Sequence, residues 1–146
     1  MNKILITKSF EETRKIGEDL AKEIKKGVII CLYGELGGGK TTFIQGFAKG
    51  LGIKGRIISP TFIILRSYKI RKQNFFHVDL YRTQGVNDIK TVGIEELISN
   101  ENNTIAIEWA EKLENLLPKK RIDVFFEDKG EDKRKILIKK VGFENE

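Results

Sequence analysis

The chain has 146 residues, 40% of them hydrophobic and 33% charged, enough for one sizeable core and too apolar for a disordered chain. No apolar run approaches the roughly 20 residues of a membrane helix, and Ile4-Leu5-Ile6 is too short for a signal-peptide core, so no membrane contact and a cytoplasmic location are expected. A single cysteine, Cys31, and a single histidine, His77, exclude an internal disulfide and a Cys/His zinc cluster. The net charge of +6 suits contact with nucleic acid or an acidic partner, and equally a solvated lysine-rich surface.

Taken in chain order, Ser9-Phe10-Glu11-Glu12 has the form of a capping box. Thr13, Ile16, Leu20 and Ile24 follow at helical spacing, predicting a helix from Phe10 to Lys26 that Gly27 ends. Val28 to Tyr33 is a continuous apolar run of strand length, as in a buried parallel strand. A glycine-rich loop follows, and Lys40 to Leu51 reads as a helix with Phe43, Ile44, Phe47 and Ala48 on one face. Arg56 to Ile58, Phe62 to Ile70 and Phe75 to Asp79 read as strands, the last two joined by a polar turn at Lys72-Gln73-Asn74. Gly85 to Ser99 is helical in part. Thr104 to Ile107 is a further core strand ending in Glu108-Trp109, and a short helix runs from Ala110 to Leu117. Ile122 to Phe126 and Lys135 to Val141 form an antiparallel pair about a turn at Lys129-Gly130. No repeat or linker interrupts the chain, so residues 1–146 read as one domain. The expected fold class is α/β, a P-loop NTPase-like three-layer fold with a mainly parallel central sheet and antiparallel additions.

Gly34-Glu35-Leu36-Gly37-Gly38-Gly39-Lys40-Thr41 fits the phosphate-loop pattern G-x-x-x-x-G-K-[ST] without a mismatch and lies between an apolar strand and an amphipathic helix, as that motif requires. Glycines let successive backbone N–H groups face one concavity, and the helix N-terminus adds its open amides. Lys40 is expected to reach the β- and γ-phosphates and the Thr41 hydroxyl to ligate Mg²⁺. Thr42 is either a second hydroxyl near the phosphates or a helix-start residue.

Such a loop needs a carboxylate at the end of a neighbouring strand. Glu108 and Asp79 both stand at strand ends, on the carboxyl edge where open α/β sheets bind ligands; a surface acid is the plainer alternative for each. His77 shares a strand face with Asp79, as a general base or, more in keeping with its apolar surroundings, a packed histidine. Trp109 is a core residue or a cover for a phosphate or partner surface. Thr61, in Ser59-Pro60-Thr61-Phe62, is a switch threonine or part of a simple turn. Arg82, Lys133 and Arg134 are charge stabilisers or surface residues.

The set G-E-L-G-G-G-K-T-T, S-P-T-F, H-V-D-L-Y-R and I-E-W-A-E, in this order and spacing over nearly the whole chain, resembles the TsaE (formerly YjeE) family of small bacterial P-loop ATPases required for threonylcarbamoyladenosine at position 37 of tRNA. The resemblance implies ATP held by Glu35, Leu36, Gly37, Gly38, Gly39, Lys40, Thr41 and Thr42, with Thr41 and Glu108 on Mg²⁺. It implies Asp79 assisting the metal or the attacking water, Thr61 in a switch-like loop, and Trp109 beside the nucleotide or a partner. Ser9-Phe10 and the hairpin near Lys133 would flank the adenine. The implied partners are TsaB and TsaD, with contact to tRNA direct or through them, and an ATPase weak alone and stimulated by that pair. Gly38 departs from the family, in which alanine is frequent there. Competing readings are a small-molecule P-loop kinase, a GTP switch, and a module that binds ATP without hydrolysing it. No arginine-rich lid is evident for the first, and no N-K-x-D or D-x-x-G motif for the second.

Overall fold

The computed structural model describes residues 2–35, 39–54, 65–70, 73–91 and 93–143. The expected strand at Arg56–Ile58 and the Ser59–Phe62 segment lie outside them. The apolar triplet at the N-terminus, which carried no strand expectation, forms β1 (Asn2–Thr7). It pairs antiparallel with the last strand of the chain, a partnership that nothing in so short a segment announces.

Helix α1 spans Phe10–Glu23. Ser9 is the expected N-cap, its Oγ accepting from the Glu12 amide at 3.1 Å, while Glu12 Oε1 reaches one residue further back than a capping box requires and accepts from the Lys8 amide at 2.8 Å. The helix stops three residues before Lys26 because Ile24 is already extended. The chain must straighten there to bring Gly27 against the 101–103 turn, where a Cβ would stand 2.3 Å from the Glu101 carbonyl oxygen. Strand β2 (Ile29–Tyr33) follows, then α2 (Lys40–Gly50). Strands β3 (Leu65–Ile70) and β4 (Gln73–Asp79) form an antiparallel pair; β4 begins at Gln73, inside the expected turn. The partly helical region resolves into α3 (Val86–Thr91) and α4 (Ile94–Ser99), with Gly93 at φ 81° between them. Strand β5 (Thr104–Glu108) leads through Trp109 into a 3₁₀-helix, Ala110–Leu116.

The hairpin of β6 (Arg121–Gly130) and β7 (Lys133–Val141) turns at Glu131-Asp132, not at Lys129-Gly130. Glu131 and Asp132 both take positive φ, 49° and 65°, the conformation a two-residue hairpin turn needs to match strand twist. Asp128 prepares it, its carboxylate accepting from the Gly130 amide at 2.8 Å.

Among the described residues one sheet has the order β1-β7-β6-β2-β5-β4-β3. β6, β2, β5 and β4 are parallel neighbours, and β7, β1 and β3 are antiparallel additions. The α/β three-layer class with a parallel core is therefore as expected. One face packs Ile30, Leu32, Phe75 and Val124 against Phe43, Ile44 and Phe47 of α2 and Leu20 of α1. The other packs Cys31, Ile105, Ile107 and Val78 against Ile89, Ile94 and Leu113. Cys31 is a core residue, and burial pushes its thiol up to about 12, which keeps it unreactive.

Candidate nucleotide-binding site

Three parallel strands deliver the site by simple parity. Along β4 the side chains of Phe75, His77 and Asp79 share one face; along β5 so do Ala106 and Glu108. Phe75 and Ala106 belong to the core under α2, so the two carboxylates stand on the α2 side, directly opposite each other in the register Asp79↔Glu108. Leu32 of β2 pairs with Glu108 on the other flank, and two residues later the chain leaves the sheet as the loop. All three strands end at the same edge, where α2 begins.

Two glycines show why the loop sequence is constrained. Gly34 has φ 141°, and a Cβ there would stand 2.8 Å from the Phe126 carbonyl oxygen. Gly39, the residue before α2, has φ 103°, which an L side chain resists. The Gly39 carbonyl accepts the first helix bond, from the Phe43 amide at 2.9 Å. The amides that precede it in the first turn have no helical acceptor, which is the anion-binding end of a helix.

Lys40 is buried at that end. Its ammonium donates to the Gly34 carbonyl at 2.6 Å and lies 4.3 Å from the centre of the Trp109 ring. Burial lowers the Lys40 pKa, against the pull of Glu108, Asp79 and Glu111. Asp79 moves the other way: burial raises its pKa, its bond from the Tyr81 amide at 2.9 Å opposes this, and Glu108 adds to the rise. Both groups sit in a site that disfavours their charges, and each would be relieved by an opposite charge beside it. Phosphate does that for a lysine, and a divalent cation does it for two carboxylates. Among the described residues no three metal-ligating side chains cluster. Two carboxylates and a helix-start threonine suit Mg²⁺, which binds through one or two carboxylates and completes its shell with water and phosphate oxygens.

A second wall faces Gly39. A Cβ there would lie 3.7 Å from Thr13 Cγ2 and 3.7 Å from both Cγ and Nε of Arg134. Thr13 Oγ1 is 2.7 Å from Thr7 Oγ1, both buried. Arg134 is held by Asp128 at 3.1 Å and by the Lys133 carbonyl at 2.9 Å. Parity had a signal for it: Arg134, Ile136 and Ile138 alternate on β7, and all three are buried. Lys133 is exposed on the opposite face of that strand. Thr7 and Thr13 carried no functional expectation, since a lone threonine in an amphipathic helix reads as spacing.

Of the remaining expected residues, Thr41 and Thr42 lie half-buried in the first turn of α2, and Glu35 is exposed. The Ser9 hydroxyl is engaged in the α1 cap, and Phe10 beside it is 46% exposed. Leu36, Gly37, Gly38 and Thr61 lie outside the described residues. Trp109 adopts φ 60°. Its ring centre is 5.1 Å from that of Tyr81, which is 44% exposed. Lys112 braces Tyr81 from behind, donating to its carbonyl at 2.5 Å and to that of Thr83 at 3.1 Å.

The family model for the threonylcarbamoyl adenosine biosynthesis protein TsaE matches residues 7–136. Curated relatives named tRNA threonylcarbamoyladenosine biosynthesis protein TsaE include that of Bacillus subtilis strain 168, 36% identical over 132 residues, or 90% of this chain and 82% of the relative. Another, from Aquifex aeolicus, is 34% identical over 140 residues, 93% of this chain and 95% of the relative. Among solved structures, the crystal structure of Bacillus subtilis YdiB superposes with a TM-score of 0.79 at 32% identity, covering 97% of this chain and 87% of that one.

Proposed function

The chain belongs to the TsaE family, and from that premise we propose that it binds Mg-ATP on the loop from Gly34 to Thr41 and hydrolyses it within the bacterial machinery that makes threonylcarbamoyladenosine in tRNA, with TsaB and TsaD as partners. The observation that carries the chemistry is the meeting of Lys40, Asp79 and Glu108 at the N-terminal end of α2. The names of the relatives carry the pathway.

In this reading the loop amides and Lys40 hold the phosphates, the three N–H donors of the ammonium serving the Gly34 carbonyl and phosphate oxygens together. Thr41 and Glu108 hold Mg²⁺, which when bound neutralises charge on the phosphate oxygens. Asp79, set opposite Glu108 by the register, serves the metal or orients the attacking water. Arg134 and Thr13 line the wall beside Gly39, ahead of Lys133. Catalysis of this kind is positioning plus electrostatic stabilisation, so a site completed by partner proteins turns over slowly alone. Contact with tRNA, direct or through the partners, belongs to the same reading.

The test is titration with ATP and GTP, then turnover with and without purified TsaB–TsaD, then reconstituted tRNA modification. ATP is expected to bind in preference to GTP and turnover to rise with the pair. Lys40→Ala is expected to abolish binding or hydrolysis, and Glu108→Ala to remove the Mg²⁺-dependent part. Preference for GTP, or turnover indifferent to the pair, would sink the reading.

A further inference from the structure

Three charged groups meet at the strand ends, but a fourth side chain, His77, organises them from below. It is fully buried, on the same face of β4 as Asp79 and one strand from β5. Its Nε2 lies 2.7 Å from Glu108 Oε2. An ionised carboxylate only accepts, so opposite one Nε2–H is the donor. Nδ1 is buried and has no hydrogen-bond partner among the described residues. The ring's one directed contact there is thus to Glu108.

That pattern fits neither ordinary role for a histidine. A general base must reach a water or a substrate proton, and a fully buried ring whose Nε2 is committed to a carboxylate does not. A histidine placed only to fill the core would be expected to satisfy its ring nitrogens on neighbouring backbone, and Nδ1 is left without. What the geometry does accomplish is to fix one oxygen of a buried, rotatable glutamate and leave Oε1 for a cation. Carboxylates that bind metals are commonly held in this way, and removal of such a support typically weakens the metal about 10–100-fold.

We propose that His77 is a positioning residue that pins Glu108 Oε2 and so sets the Mg²⁺ affinity of the nucleotide site. The proposal rests on the Mg-ATP reading above. It needs no change in the protonation of His77, only the presence of a donor at Nε2.

The experiment measures ATP affinity by calorimetry at a series of Mg²⁺ concentrations, and without Mg²⁺, for the wild type, His77→Leu, His77→Gln and His77→Asn, each checked for folding by thermal melting. The Gln amide nitrogen falls about where Nε2 lies, whereas the Asn amide falls near Nδ1. His77→Leu and His77→Asn are expected to raise the half-saturating Mg²⁺ about 10–100-fold while ATP affinity without Mg²⁺ stays within about twofold, and His77→Gln is expected to restore most of the loss. If His77→Leu does not fold, the contrast between Gln and Asn decides the matter. Equal Mg²⁺ dependence in Gln and Asn, or equal losses with and without Mg²⁺, would overturn the positioning role. A wild type whose ATP affinity ignores Mg²⁺ would overturn the parent reading and this proposal together, and is seen before any variant is made.

Discussion

Replacing Gly46 by alanine sets two well-understood effects against each other. In an exposed helix interior the change would stabilise by about 1 kcal/mol through helix propensity. Here α1 and α2 cross backbone to backbone. A Cβ on Gly46 would stand 1.8 Å from the Arg14 carbonyl oxygen and 2.6 Å from its carbon, and a Cβ on Gly17 would stand 2.2 Å from the Phe43 carbonyl oxygen. These obstacles are main-chain atoms inside helices, so no rotamer change relieves them. Restoring an ordinary van der Waals separation needs the helices to part by about 1.5 Å. Overpacking of this kind costs typically about 1–3 kcal/mol, occasionally more, and the upper part of that range applies when backbone must move. The clash therefore wins by about 1–2 kcal/mol, which lowers the melting temperature by roughly 3–8 °C for a domain of this length. Because α2 carries Lys40 and Thr41 at its first turn, the same displacement shifts the loop against Glu108. A misplacement of about 1 Å can cost on the order of 100-fold in activity. Thermal unfolding followed by circular dichroism, with ATP affinity measured on the same samples, is the assay. A Gly46→Ala protein that melts at or above the wild type would show that propensity governs this site and that the helix crossing is looser than the geometry implies.

Other expectations follow from the charges of the site. The folded-state pKa of Asp79 is raised above its ordinary 3.8, so the native protein binds that proton more tightly than the unfolded chain. The stability this supplies is present below the ordinary value and is lost as pH rises through the folded one. Asp79→Asn, which keeps the acceptor for the Tyr81 amide, should therefore melt above the wild type at pH 7 by on the order of 1–3 °C, as active-site neutralisations do, with the gap closing toward pH 4. An equal gap at both pH values would refute the sign. Arg134→Lys, which keeps the charge but loses the planar fork, should weaken ATP about tenfold, whereas Lys133→Ala should stay within about twofold because that side chain points from the other face of β7. The reverse ranking in a titration would place the second wall of the site at Lys133.

How much of this could be read from the chain depends on how local its causes are. The start of α2 after Gly39, the α1 cap and the strand ends bearing Asp79 and Glu108 are set by a few neighbouring residues and the alternation of side chains, and each falls within a residue or two of its expected place. Two features depended on distant partners, and a third on a local side-chain bond that its residue types did not single out. β1 exists because β7 offers it an edge. α1 ends early because Gly27 must pass close to residues some 75 positions away in sequence, at the 101–103 turn. The hairpin turn lies at Glu131-Asp132 because the Asp128 carboxylate binds the Gly130 amide, which draws Gly130 into the strand pairing. The role of His77 was hidden for a similar reason: parity places it beside Asp79 on its own strand, but its hydrogen bond runs across to β5, and only the register of the two strands reveals that.

The most instructive contacts of the site are the two that Lys40 makes with the protein. Its ammonium is held by the Gly34 carbonyl at 2.6 Å and by the Trp109 ring at 4.3 Å. A hydrogen bond to a charged group contributes about 1.5–3 kcal/mol, and a partly desolvated cation–π contact about 0.5–2 kcal/mol. The ammonium has two further N–H donors, so on the Mg-ATP reading phosphate oxygens can be bound without loss of the Gly34 bond. Trp109 directly follows Glu108 in the chain, sits at φ 60°, a region uncommon for so bulky a side chain, and packs against the 44% exposed ring of Tyr81. Lys40 and Glu108, the residues that the Mg-ATP reading assigns to phosphate and metal, thus both adjoin Trp109, one through the ring and one through the chain.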